Sequence, residues 1–311
     1  MDYEDVINMT NLKNTSEPIT PERSRKDISH EIVFLICCTV AFIADVLIIF
    51  TILRFKQMRN VRNLLIANWA AIDLCSLVVT PTGYRILSIF SNFSISSNAT
   101  CILFELGAAS HYMVIICVFI VLLDWFIAAY FLNASRKIRS YHKIFLGLTW
   151  GVYILIIILY CYGCKNGRYN YFLHTFATFF TLCGVTLFII ILHIVNGVQK
   201  CRKKPLEYPK LSLHLGTCFI MCYILAVANI FLVDFLRMYH PFFAIISACF
   251  VFCNGIANLL VLYFCDTHFQ AHFIQVIQCK FDRYNNQISE LDDHFSEVSF
   301  HSPTEQLINS A

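Results

Sequence analysis

The sequence predicts an all-α integral membrane protein, a seven-transmembrane helix bundle with a short amphipathic eighth helix. Three observations predict it. Of 311 residues, 58% are hydrophobic and 14% charged, where a soluble domain carries roughly 25% charged residues. The apolar residues gather into seven blocks, 32–53, 64–84, 102–131, 144–163, 170–197, 211–236 and 241–265, each at or above the ~20 residues a helix needs to cross the hydrocarbon layer. Lys and Arg concentrate in alternate connections between those blocks, the charge bias that orients membrane proteins. The formal charge of +3 is scattered in short clusters, which excludes a nucleic-acid partner and leaves membrane lipids as the expected surroundings.

Residues 1–31 are polar and lack the apolar core of a cleavable signal peptide, so the first block is expected to target the chain itself. Block one ends in a basic loop with Arg54, Lys56, Arg59 and Arg62; blocks three and four are joined by Arg136, Lys137, Arg139 and Lys143; blocks five and six by Lys200, Arg202, Lys203, Lys204 and Lys210. The other connections hold only Arg85, Lys165, Arg168 and Arg237. Thirteen basic residues against four orient the chain with its N-terminus outside and its C-terminus in the cytoplasm, opposed only by Arg23, Arg25 and Lys26. The glycosylation sequons at Asn8, Asn14, Asn92 and Asn98 all fall on the expected outer side, whereas Asn133-Ala-Ser falls inside and is expected to stay unmodified. A plasma-membrane, multi-pass protein is the expectation, organised as an extracellular segment 1–31, a membrane domain 32–265, an amphipathic helix 266–279 and a tail 280–311.

None of the seven prolines lies within the fifth or sixth block or the core of the seventh, which Pro241 only opens. Straighter helices are therefore expected there, since proline is the usual source of sharp kinks. Most of the 15 cysteines lie inside apolar blocks, where they act as small buried hydrophobes. Cys161-Tyr-Gly-Cys164 has metal-ligand spacing but no second half, so no metal site follows from it. After the seventh block Phe269, Phe273 and Ile277 recur at i, i+4 and i+8, the pattern of a helix lying on a membrane surface. Cys279 follows as a candidate palmitoylation site. The tail is acidic and polar, with Ser289, Ser296, Ser299, Ser302 and Thr304 among Glu290, Asp292, Asp293 and Glu297, a composition that predicts disorder.

Specific residues add a family resemblance. The second block reads Asn63-Leu-Leu-Ile-Ala-Asn68-Trp-Ala-Ala-Ile-Asp73-Leu; the third opens at Cys101 and closes Leu123-Asp124-Trp125-Phe126; the fourth carries Trp150; the sixth reads Phe219-x-x-Cys222-Tyr223-x-Leu225; the seventh contains Asn254-x-x-x-Asn258-Leu259. Across residues 32–280 this resembles the rhodopsin-like G-protein-coupled receptors, whose corresponding motifs are N-x-x-I-x-N-L-A-x-A-D-L, D-R-Y, F-x-x-C-W-x-P and N-x-x-x-N-P. The departures are Trp125 in place of the arginine, Tyr223, Leu225 and Leu259 at the activation switch, and Asp45 in place of the first-span asparagine.

The resemblance implies a cation or polar switch built from Asp45, Asp73, Asn254 and Asn258, where either a sodium ion or a shared proton offsets two carboxylates that cannot both stay charged unpaired. The competing reading is a neutral hydrogen-bonded cluster that fixes helix packing. It implies a cytoplasmic switch at Asp124 and Trp125, with a loop residue such as Arg136 or Lys137 replacing the missing arginine, and an activation toggle at Phe219 and Tyr223. A disulfide from Cys101 to Cys164 is implied, Cys161 being the less suitable partner. Gly107 stands where amine receptors have an aspartate, and the seventh block has no lysine for retinal. An extracellular ligand, a peptide by preference, is expected near Tyr84, Arg85, Glu105, His111, Tyr112, Phe172, His174, Asp234 and Arg237. The expected partners are a heterotrimeric G protein, or arrestin at a phosphorylated tail. No nucleophile–base pair or metal cluster in the sequence supports an enzyme. Two other readings remain: a signalling-silent scavenger or chaperone receptor, motivated by the switch departures, and a cation- or proton-coupled transporter, disfavoured by the lack of an inverted repeat.

Overall fold

A computed structural model describes residues 21–79, 97–165, 171–201, 210–238 and 240–278, and among them the chain is all helix, with no strand. Ten helices follow in order: α1 Pro21–Arg54, α2 Val61–Leu77, α3 Ser97–Tyr130, α4 Leu132–Ser140, α5 His142–Lys165, α6 Tyr171–Cys201, α7 Leu211–Ile230, α8 Pro241–Phe252, α9 Asn254–Cys265 and α10 Thr267–Ile277. Five of these are long and apolar enough to cross a membrane, or six if the bent pair α8 and α9 is one span. The second expected span is described only to residue 79, and α2 itself has 17 residues; the rest of that block lies outside the described residues. The protein is a membrane-embedded helical bundle.

The contacts close the bundle into a ring. α1 packs on α2, α2 on α3, α3 on α5 and α6, α6 on α7, and α7 on α8 and α9, which return to α1. Asn68 meets Cys117 and Ser76 meets His111, so α2 and α3 are antiparallel. α3 is the central helix: half of its apolar span is buried, against 11% for α5. Ile144, Phe145, Leu148, Leu155 and Leu159 of α5 face outward, as an apolar helix does when its solvent on one side is lipid.

The ends of these helices are set by local chemistry. α2 starts where the Asn60 side chain accepts a hydrogen bond from the Asn63 N–H at 2.9 Å, satisfying one of the donors a helix start leaves open. α10 starts where Asp266 accepts from the His268 and Phe269 N–H groups at 3.0 Å each and pairs with Arg62 at 3.0 Å. That single carboxylate fixes α10 to the start of α2.

Two expectations are corrected. The seventh block is not straight: α8 and α9 are bent by 40° about Cys253 without a proline. The bend falls two residues before Gly255, which lies against the side chain of Asp45. The apolar stripe of α10 does not lie on a membrane at Phe269 and Phe273. Both rings are buried in protein, Phe273 against Tyr263 with 5.7 Å between centroids, whereas Ile277, the third residue of the expected stripe, is exposed, with Ile274 beside it.

His272 on α10 is buried and stacked on Phe55 at 4.4 Å. Burial holds its imidazole below the usual histidine range; Gln275 and Asp266 oppose that shift and His268 adds to it. A base with a lowered folded pKa contributes its stability above its ordinary value of about 6.5 and loses it as the pH falls through the lower folded value. Thermal stability should therefore fall on acidification from about pH 7 to about pH 5, and His272→Phe, which keeps the stacking on Phe55, should flatten that fall in a pH series of melting curves.

Candidate functional site

The interior of the bundle holds a polar cluster at the meeting of α1, α2 and α9. Asp45 is fully buried on α1, Asp73 is buried on α2, and Asn254 and Asn258 are buried one turn apart on α9. The Asn254 side-chain amide donates to Asp73 Oδ2 at 2.9 Å. Asp45 lies against Gly255, so closely that a Cβ placed there would stand 2.7 Å from Oδ2 and 2.8 Å from Oδ1. Helical spacing explains the convergence. Phe34 on α1 meets Phe252 with 5.0 Å between ring centroids, and eleven residues, about three turns, further along the same face comes Asp45.

Both carboxylate oxygens of Asp45, and the side-chain oxygens of Asn254 and Asn258, are buried and accept no hydrogen bond from the described residues. Leaving such oxygens unpaired in a low-dielectric interior is costly. Carboxylate and amide oxygens without nitrogen or sulfur donors suit a hard cation such as sodium, so these residues fit the ion that the sequence implies. They equally suit a proton held between the two acids.

Above this cluster, Phe219 on α7 stacks on Tyr223 at 4.1 Å and meets Trp69 on α2 edge-on at 5.9 Å. The pair expected as a toggle is thus a packed aromatic contact bridging α7 to α2, with Tyr223 buried. A further close approach lies on α7: a Cβ at Gly216 would stand 2.7 Å from the Leu122 side chain of α3.

At the end of α3, Asp124 is held by Arg139 of α4 through two hydrogen bonds, from Nε to Oδ1 at 3.0 Å and from the terminal amine to Oδ2 at 2.7 Å. The partner is therefore Arg139, not Arg136 or Lys137, both of which are exposed. The reason is helical register: Ser135 and Arg139 share the face of α4 turned to the bundle, and Ser135 is buried. Trp125 is fully buried and meets Tyr130 edge-on at 6.3 Å. It fills core volume where a charged arginine would need a partner.

At the other end, Cys101 and Cys164 form a disulfide, S–S 2.04 Å, that ties α3 to the end of α5. Glu105, one turn below Cys101, is buried beside the two sulfurs; because these are bonded to each other, the trio offers no metal site. His111 faces Ser76 Oγ at 3.3 Å and Tyr112 is half-buried. Ser110 and Tyr153 share a buried hydrogen bond at 2.6 Å. Asn8, Asn14, Tyr84, Arg85, Asn92 and Cys279 lie outside the described residues, as do the side chains of Asn98, Phe172, His174 and Asp234.

The residues that sequence reading misses are Gly255, Gly216 and Arg139. A glycine beside Asn254 within an apolar span is the signal that could have pointed to a close approach, whereas the choice of Arg139 among three neighbouring bases has no sequence signal without the register of α4. Neither a protein-family model nor a curated protein sequence matches the chain.

Proposed function

We propose that the protein is a divergent receptor of the rhodopsin-like type, a seven-span plasma-membrane protein that binds an extracellular ligand at its outer half and passes a conformational change to a cytoplasmic G protein or arrestin. The observation that carries this reading is the convergence of Asp45, Asp73, Asn254 and Asn258, drawn from three distant segments, into one buried cluster. Nothing about helix packing alone demands four buried polar residues there, and a buried acid within a membrane is by default functional. A sodium ion held by Asp45, Asp73, Asn254 and Asn258 would neutralise the carboxylates and favour one arrangement of α1, α2 and α9. Ligand binding at the outer ends then acts as any ligand does, by favouring the arrangement it fits better.

In this reading the seventh span is the bent pair α8 and α9, the second is α2 with the residues beyond it, and α10 is the amphipathic helix that follows the bundle. The basic connections face the cytoplasm and the disulfide faces outward. A peptide is the favoured ligand class. The second reading, a receptor that binds without signalling, is favoured by one specific observation: Trp125 is sealed in the core, and the acid beside it is already paired to Arg139.

Activation of a panel of G proteins in cells expressing the chain at matched surface levels, with tissue peptide extracts added, separates the two. Ligand-dependent activation is the expected result. Silence in the wild type, with activity gained in Trp125→Arg, would instead favour the silent receptor. A thermal melt of Trp125→Arg and of Trp125→Phe accompanies the assay, because a guanidinium in the core is expected to destabilise the fold and a smaller aromatic is not.

A further inference from the structure

α4, Leu132–Ser140, has three faces. Ser135 and Arg139 turn to the bundle, one buried and the other joined to Asp124. Ala134, Ile138 and Tyr141 follow at spacings of four and three residues from one another, with Phe131 at the helix start, and all four are exposed, Phe131 by 56% and Tyr141 by 51%. Lys137 flanks that stripe, Arg136 lies on the face of the helix away from it, and both are exposed, as is Lys143 just beyond. No carboxylate among the described residues forms a salt bridge with any of these three bases.

This combination is the one that seats a helix in a membrane interface: an apolar stripe, aromatic residues at its ends and cations on its flank. The stripe is also continuous with surface that must face lipid. α5 begins two residues after α4 ends, and its first turns expose Ile144, Phe145 and Leu148. A protein partner would need to cover the stripe while leaving that lipid-facing surface in the bilayer; a lipid surface covers both.

We propose that α4 is an anionic-lipid binding element, with Phe131, Ile138 and Tyr141 entering the interface and Lys137 and Lys143 binding the acidic headgroups of the adjoining leaflet. Because Arg139 projects from an adjoining face of the same short helix, seating α4 on the membrane holds Arg139 over Asp124. The charge of the leaflet thereby sets how long the α3–α4 pair persists. The inference holds for any function of the bundle and does not depend on G-protein coupling.

The test is amide hydrogen exchange over residues 132–140 in the full chain, reconstituted into nanodiscs of phosphatidylcholine alone or with phosphatidylserine added. Two basic residues at an anionic surface correspond to about a 30-fold gain in the seated population. Exchange across α4 is expected to slow by up to that factor in phosphatidylserine, and the effect to shrink at high salt. Lys137→Glu with Lys143→Glu should abolish the lipid dependence while exchange in α1 and α9 stays unchanged. Should that double variant lose α4 altogether, Lys137→Gln with Lys143→Gln replaces it, with the same expectation. Equal exchange in the two lipids overturns the proposal. So does slowing by inorganic phosphate in phosphatidylcholine discs, which would mean a free-anion site, and so does a glutamate double variant that still responds to phosphatidylserine.

Discussion

Gly255→Ala lowers the stability of the folded bundle by about 1–3 kcal/mol, the usual cost of forcing an extra carbon into a packed interior. The added Cβ would stand 2.7, 2.8 and 2.9 Å from Oδ2, Oδ1 and Cγ of Asp45. The carboxylate has little room to retreat, because Asp45 is fully buried and the same turn of α9 carries the buried Asn254 and Asn258. Asp45→Ala in the same chain removes the obstacle and should recover most of the loss. A double-mutant cycle on melting temperature in detergent reads the coupling directly, since residues in contact depart from additivity. Strict additivity would show that Gly255 matters only as a helix-weakening glycine beside the bend. The same melts with and without sodium test the ion: added sodium should stabilise the wild type and leave Asp45→Ala and Asp73→Ala unmoved.

Breaking the Asp124–Arg139 pair is the second large effect. Charged two-bond pairs of this kind are stronger than neutral hydrogen bonds, and the side chains keep only 11% and 25% of their surface exposed. Arg139→Ala leaves Asp124 at the end of α3 without its two donors and should cost about 2–3 kcal/mol, less than for a fully buried pair because water reaches both groups. The loss should appear as faster exchange in α4, since Ser135 is that helix's remaining buried residue toward the bundle. Asp124→Ala should do the same, and the double replacement should cost less than the sum of the two. Arg136→Ala is the control: exposed and without a salt bridge to a carboxylate among the described residues, it should leave the stability unchanged.

Long blocks of apolar residues separated by short basic segments determine on their own that this chain is helical and membrane-embedded, because a backbone in hydrocarbon must satisfy its hydrogen bonds internally. Five of the seven expected spans appear as helices near the expected limits, and a sixth as the bent pair. The grouping of Asp45, Asp73, Asn254 and Asn258 is what the family resemblance implies rather than what their spacing shows, and the structure buries all four, with Asn254 bonded to Asp73.

What the tertiary structure alone decided are the choices between near neighbours. The sequence offers Arg136, Lys137 and Arg139 as equivalent bases; only the rotation of α4 about its axis turns Arg139 to Asp124 and the other two outward. A count of prolines predicts a straight seventh span, yet it bends at Cys253, two residues before Gly255, which lies against Asp45 of a helix more than two hundred residues earlier in the chain. The stripe of α10 reads as a membrane face, yet Phe269 and Phe273 turn into protein because Asp266 fixes the start of that helix against Arg62. The deciding contacts are tertiary, 15 residues apart in the chain for Asp124 and Arg139 and 204 for Arg62 and Asp266. The local pattern specifies that a face is apolar or that a charge needs a partner, and the packed bundle specifies which neighbour supplies it.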